Sequence, residues 1–168
     1  MIKKEINLYE FEELSPEVQE KVIDDFRDNN DFDFLEDVLR GRLNDVLNEN
    51  HIKINDLTLR YSLSYNQGDG FSFIGDFVYK NNCVTIRKGH LANFYCHSGT
   101  NDIEILDKND EENEELEKEF SELYVNICKE LEKYGYEVIE DENNEETIKE
   151  RIKDNDYYFR EDGTIENL

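Results

Sequence analysis

The chain has 168 residues, 43 of them acidic and 19 basic, for a formal net charge of −24, and its 37% hydrophobic content includes 10 Tyr and 10 Phe but no Trp. That content suffices for one sizeable core, so a single domain over 1–168 is expected, and the aromatic supply argues against a disordered chain. A negative surplus of this size disfavours direct binding to nucleic acid and points to a basic partner.

The opening MIKKEINLYEFEEL turns acidic within a few residues and has no apolar run of signal-peptide length. No segment approaches the roughly 20 apolar residues of a membrane span, and a soluble, cytoplasmic protein is expected. Ser15-Pro16-Glu17 reads as a helix start, with a capping serine, a proline in the first turn and an acid at the positive end of the dipole. Val18, Val22, Ile23 and Phe26 follow at helical spacing. A second helix is predicted from about Asp33 to Asn50, with Leu35, Val38, Leu39, Leu43, Val46 and Leu47 inward.

The period then changes from 3.6 to 2. Leu57, Leu59, Tyr61, Leu63 and Tyr65 alternate with polar residues, and Phe71, Phe73, Gly75, Phe77 and Tyr79 repeat the pattern. Further strands are predicted over 83–87, 91–97 and 102–106, joined by connections too short for crossover helices. From Asp110 the helical period returns, with Leu116, Phe120, Leu123, Ile127, Leu131 and Tyr134 on one stripe and Gly135 as the stop. A strand at 136–139 or a loop, a short helix around 145–153, and a last strand at 157–159 before the turn 161–164 complete the chain. The expected fold is α+β: an antiparallel β-meander packed with two N-terminal helices and a long acidic C-terminal helix.

Little in this chain carries recognisable chemistry. Cys83, Cys96 and Cys128 form no C-x-x-C pair or zinc spacing, and read as free thiols in a reducing compartment. His51, His90 and His97 offer no nucleophile–base arrangement, since alternation would put Cys96 and His97 on opposite faces. No enzyme activity, metal or cofactor is expected. The run Gln67-Gly68-Asp69-Gly70 precedes a strand rather than a helix and no lysine follows before Lys80, which argues against a phosphate loop. It reads as a hairpin in which both glycines take positive φ and Asp69 bonds its own backbone, with Gln67 and Asp69 exposed for a secondary contact.

The stretch Leu63-Ser64-Tyr65-Asn66-Gln67-Gly68-Asp69-Gly70-Phe71-Ser72-Phe73 resembles the hydrophobe-Ser-Gln-Gly-Asp-Gly-x-x-Phe hairpin of a family of small phage and prophage proteins, some labelled antitoxin-like. Tyr9-Glu10-Phe11-Glu12-Glu13-Leu14-Ser15 resembles that family's opening, and Asn155-Asp156-Tyr157-Tyr158-Phe159-Arg160-Glu161-Asp162-Gly163 its ending. The resemblance implies a phage accessory protein acting in the host cytoplasm. It carries no catalytic residues.

Acid placement is the most informative feature. Residues 102–150 hold 20 acids and 5 bases, whereas no acid occurs between Asp76 and Asp102, a window that contains Lys80, Arg87, Lys88, His90 and His97. Asp110, Glu111, Glu114, Glu115, Glu117, Glu119, Glu122 and Glu132 fall on the arc opposite the Leu116 stripe, with Glu140, Asp141 and Glu142 expected to continue that surface. Carboxylates about 5–6 Å apart imitate the anionic field of a duplex. The function expected is therefore an anti-CRISPR or other anti-defence protein that mimics nucleic acid and blocks a Cas effector such as Cas9. Asp110, Glu111, Glu114, Glu115, Glu119, Glu122 and the 140–142 acids would form the contact. The second reading is an antitoxin-like or host-regulatory interaction module that uses the aromatic sheet and the 67–70 loop.

Overall fold

The computed structural model describes residues 6–109 and 111–166, which divide into two compact units. The central unit is Asp33–Glu137, and the terminal unit joins the described residues up to Phe32 to those from Val138 onward. The fold is α+β.

In the central unit, α2 (Leu35–Glu49) leads into an antiparallel meander of β1 (Lys53–Ser62), β2 (Gly70–Tyr79), β3 (Asn82–Lys88) and β4 (Asn101–Leu106), in spatial order β1-β2-β3-β4. Register follows the alternation: Leu59 lies opposite Phe73, Phe77 opposite Val84, and Val84 opposite Ile105. One face therefore gathers Phe71, Phe73, Phe77, Val84, Ile86 and Ile105, all essentially buried. A bulge between Ile54 and Asp56 faces Gly75, where a Cβ would stand 2.1 Å from the Asp56 carbonyl oxygen, so only glycine fits this point of the ladder.

The sheet's buried face meets α3 (Glu114–Glu142). Phe120 packs against Tyr79 with ring centroids 5.3 Å apart, and Tyr124 against Phe73 at 4.8 Å. The Tyr124 hydroxyl donates to the Phe73 carbonyl and accepts from Asn101, which satisfies a polar atom inside the core.

Three sequence expectations fail here. The helix does not stop at Gly135 and no strand forms at 136–139: α3 runs on to Glu142. Gly135 is an approach point, because a Cβ there would lie 2.4 Å from Leu63 Cδ1 and 3.3 Å from Leu39 Cδ2. The expected strand over 91–97 is also absent. Residues 89–100 form successive turns, with Ala92 N–H donating to Gly89 O and Phe94 N–H to Leu91 O, then a 3₁₀ turn at Ser98–Thr100. Arg60 accounts for this: its guanidinium donates to the carbonyls of Ala92 and Tyr95 and to Asn101 Oδ1, gathering the loop over the face of the sheet away from α3.

The terminal unit comprises a 3₁₀ turn at Phe11–Glu13, α1 (Pro16–Asp28), α4 (Glu145–Asp154) and a hairpin of β5 (Tyr158–Phe159) and β6 (Ile165–Glu166), with Tyr9 bridged to Phe159. Its core is Phe11, Leu14, Val22, Ile23, Ile148, Ile152 and Phe159. Ser15 precedes α1 as expected, but its side chain makes no capping bond. Its carbonyl accepts from Val18 and Gln19 instead. True capping occurs at Asn144, whose side chain accepts from Glu146 N–H at 2.9 Å to open α4.

Among the described residues, no helix is long and apolar enough to cross a membrane.

Candidate functional site

The acidic face begins where β4 turns into α3. Asp107 Oδ1 accepts from Asn109 N–H at 2.7 Å and from Glu111 N–H at 3.0 Å, and these two bonds hold its carboxyl below the usual range. Asn113 then starts the helix, its side chain accepting from Leu116 N–H at 3.1 Å. Leu116, Phe120, Tyr124, Ile127, Cys128 and Leu131 turn inward at helical spacing, which leaves Glu114, Glu115, Glu119 and Glu122 on the outer arc.

Glu111, Glu114, Glu115 and Glu122 are exposed, and no basic group pairs with them among the described residues. Asp110 lies outside those residues. Glu119 is not available in the same way, since Lys80 Nζ donates to it at 2.6 and 2.8 Å and the Tyr79 hydroxyl at 2.7 Å. The Lys80 bond, then the Tyr79 bond, lowers the Glu119 pKa, and the same carboxylate raises that of Lys80. Further along the helix, Glu130 is held by Arg42 at 2.6 Å and Glu137 by Lys133 at 3.2 Å. Lys129 and Lys133 interleave there, while Glu114, Glu115 and Glu122 are exposed and, among the described residues, without an ion pair in the first turns.

Glu140, Asp141 and Glu142 stand in the terminal unit. Glu140 and Asp141 are exposed; Glu142 is partly covered and lies 3.9 Å from Arg151.

The 67–70 loop divides the expected pair. Gln67 is exposed, whereas Asp69 is half-buried and structural. Its Oδ1 accepts from the Ser62 hydroxyl at 2.7 Å, and its Oδ2 from the amides of Ser64 and Asn66 and the hydroxyl of Tyr136. Partial burial pushes the carboxyl up, but the bonds from Ser62, Asn66, Tyr136 and Ser64 outweigh it and hold Asp69 at about 2. Gly70 has positive φ as expected; Gly68 does not, and the left-handed residue of the loop is Tyr65 at φ 58°. Gly68 is instead small because Tyr95 Cδ1 lies 3.3 Å from where its Cβ would be.

That contact joins two loops into an apolar patch absent from the sequence-based site. Tyr65 is 66% exposed, Phe94 75%, Leu91 49% and Tyr95 38%. Tyr65 stacks near Tyr136 with centroids 4.6 Å apart, and Tyr95 lies on His97 at 5.6 Å. Because Gly70 alternates with Phe71 and Phe73, and a Cβ on Gly70 would lie 2.8 Å from His97, this loop covers the face opposite α3. The aromatic pair Phe94-Tyr95 inside the acid-free window was the available sequence signal. A strand there would turn one of the two away from the surface, since neighbouring residues of a strand face opposite sides.

Among the described residues, no three His, Cys, Asp or Glu side chains converge as metal ligands. The arrangement is an α+β scaffold presenting two chemically distinct surfaces, one anionic and one aromatic. No protein-family model, curated protein or solved structure matches the chain.

Proposed function

We propose that this chain is a non-enzymatic phage anti-defence protein that works in the host cytoplasm and sets its acidic helix face into the cationic nucleic-acid groove of a Cas effector such as Cas9. The observation that carries the reading is the cluster Glu111, Glu114, Glu115 and Glu122: exposed, closely spaced and unpaired at the start of α3, while Lys80, Arg42 and Lys133 neutralise other acids of the same helix. Glu114 and Glu115 stand side by side in the first turn of α3, with Glu111 just before it and Glu122 two turns on, and together they add to one anionic surface that a basic contact can use. A groove that binds a polynucleotide releases counterions when it accepts such a face.

The test is the triple variant Glu111→Lys, Glu115→Lys, Glu122→Lys, assayed against a panel of purified Cas nucleases for inhibition of DNA cleavage. Inhibition is expected to disappear in the variant, and wild-type affinity to fall roughly tenfold or more between 50 and 200 mM salt. Equal inhibition by variant and wild type would remove the helix face from the reading.

The aromatic patch favours a second reading, an antitoxin-like or host-regulatory module. Tyr65, Leu91, Phe94 and Tyr95 beside Gln67 are the kind of exposed aromatic cluster that centres protein interfaces. Phe71 takes no part, being fully buried. Loss of binding on Phe94→Ala, with affinity indifferent to salt, would favour this surface over the acids.

A further inference from the structure

The two edges of the four-stranded sheet differ. At β4 the outer side is engaged, since Asn113 N–H donates to Ile105 O and Leu106 is bridged to Glu112. At β1, among the described residues, β2 is the sole strand partner and no backbone bond joins the outer side of Lys53–Ser62 to another segment. Every second residue of an edge strand turns its N–H and C=O away from the strand it pairs with, so this side presents a row of donors and acceptors.

Edge strands are ordinarily kept from further pairing by an inward charge, a proline or a bulge. In β1 such guards stand only in the first half, where the bulge between Ile54 and Asp56 lies beside Lys53 and Asp56. From Leu57 to Ser62 the register with β2 is regular. Arg60, the one charge of that stretch, reaches inward across the sheet, donating to Asn101 Oδ1 on β4 and to the carbonyls of Ala92 and Tyr95. Leu57, Leu59 and Tyr61 share the face that carries Phe71 and Phe73, yet they stay half-exposed while those two, one strand further in, are fully buried.

This edge is self-complementary about Leu59. Two copies paired antiparallel with Leu59 on the two-fold axis set Leu57 opposite Tyr61, Leu59 opposite Leu59, Thr58 opposite Arg60 and Asp56 opposite Ser62. Apolar side chains then meet apolar ones, and no two like charges are opposed. An axis at Arg60 would oppose two arginines, and an axis at Thr58 would set Tyr61 against the bulge.

We propose that a second copy of this chain adds to the outer edge of β1, the two β1 strands pairing antiparallel about Leu59 and joining both four-stranded sheets into one. β1 supplies no residue to the acidic face of α3 or to the aromatic loops, so the pairing is independent of both contacts proposed above. The formal −24 on each copy opposes the association, and salt screens that repulsion. Pairing through β1 therefore tightens with salt, the opposite of a contact between acids and a basic groove.

The experiment is sedimentation equilibrium of the full chain from micromolar to near-millimolar concentration at low and high salt, with amide exchange read by NMR at both ends of the range. A species of twice the 20.1 kDa chain is expected to grow with concentration and with salt, and the outward amides among residues 57–61 to gain protection as it does. Leu59→Lys places on the axis a charge that reaches solvent past the edge in the monomer but is enclosed in the pair. It should weaken association about tenfold or more, although it lowers the net charge of each copy. Phe94→Ala should leave association unchanged. The proposal is overturned by a monomer at every concentration, by a dimer without protection at 57–61, by a dimer that loosens with salt, by equal association in Leu59→Lys, or by loss of association in Phe94→Ala. Should Leu59→Lys misfold by circular dichroism, the wild-type protection pattern decides, and concentration-dependent protection confined to segments outside β1 would overturn the proposal.

Discussion

The Tyr136 hydroxyl donates to Asp69 Oδ2 at 2.9 Å, so the loop between β1 and β2 is tied to a helix 67 residues later in the chain. The same carboxylate collects the Ser62 hydroxyl and the amides of Ser64 and Asn66, which fixes the loop from within. Burial, followed by the bond to Asp69, pushes the Tyr136 hydroxyl up to about 12, and the proton stays on the tyrosine as donor. Asp69 is thereby the joint of the hairpin rather than one of its contacts.

Replacing Asp69 by Asn should destabilise the protein by about 1–3 kcal/mol, because the amide oxygen serves fewer donors and the NH₂ group faces N–H and O–H groups that are themselves donors. Asp69 sits at about 2 in the folded protein, below its ordinary 3.8. A depressed carboxyl contributes stability that is fully present above the unfolded value and is lost as pH falls through the folded one. Urea titrations between pH 4 and pH 2 should show wild-type stability declining and the Asn variant declining less. Identical slopes would contradict the assignment.

Gly135→Ala should destabilise the wild type despite the better helix propensity of alanine, since the new methyl meets Leu63 Cδ1 at 2.4 Å. In a Leu63→Ala background, itself less stable, the same change should stabilise by up to about 1 kcal/mol, the ordinary gain of Gly→Ala within a helix. A double-mutant cycle measured by thermal unfolding reads this inversion of sign. Additive effects would mean the two residues do not touch.

Arg60→Lys should release the 89–100 loop while leaving the sheet paired. A lysine ammonium has three donors and no planar fork with which to hold Ala92 O, Tyr95 O and Asn101 Oδ1 together. Amide exchange should accelerate in the loop, whose local opening becomes easier by about 2 kcal/mol, and not in β2 or β3, with global stability little changed. Uniform acceleration would show that the arginine supports the whole unit instead.

The three thiols should separate by reactivity. Cys83 is exposed on β3, Cys96 is half-buried, and Cys128 lies in the core, where burial pushes its pKa up to about 12. At pH 8 a thiol-exchange reagent should modify Cys83 readily and leave Cys128 untouched until denaturant is added, because the thiolate is the reactive form. Modification of Cys128 in the folded state at the rate of Cys83 would be incompatible with its position.

Much of the fold is legible in the residue pattern. Helices α1, α2 and α4 and strands β2, β3 and β4 lie close to where periodicity places them, because each element has one face buried and one wet. Gly135 misled because a glycine in a helical pattern signals a stop unless another chain passes close by, and Leu63 is distant in sequence. The 91–97 segment misled for a related reason: its carbonyls answer to Arg60, not to a neighbouring strand. Of the expected contact acids, Glu114, Glu115 and Glu122 are exposed as the helical wheel requires and Glu111 is exposed just before the helix, while Glu119 is bound to Tyr79 and Lys80 at the end of β2, a pairing that no local spacing reveals.

Sequence alone determined the charge, the α+β class and the acid-bearing helix, because composition and period are local properties that survive without knowledge of neighbours. Tertiary structure alone decided which carboxylates stay unpaired, that Asp69 is a joint, that two loops meet to expose Tyr65 and Phe94, and that Arg60 turns inward to Asn101 and leaves the edge of β1 unguarded. Each of these depends on groups far apart in the chain coming within hydrogen-bond or van der Waals distance, and such meetings leave no mark on either sequence segment taken by itself.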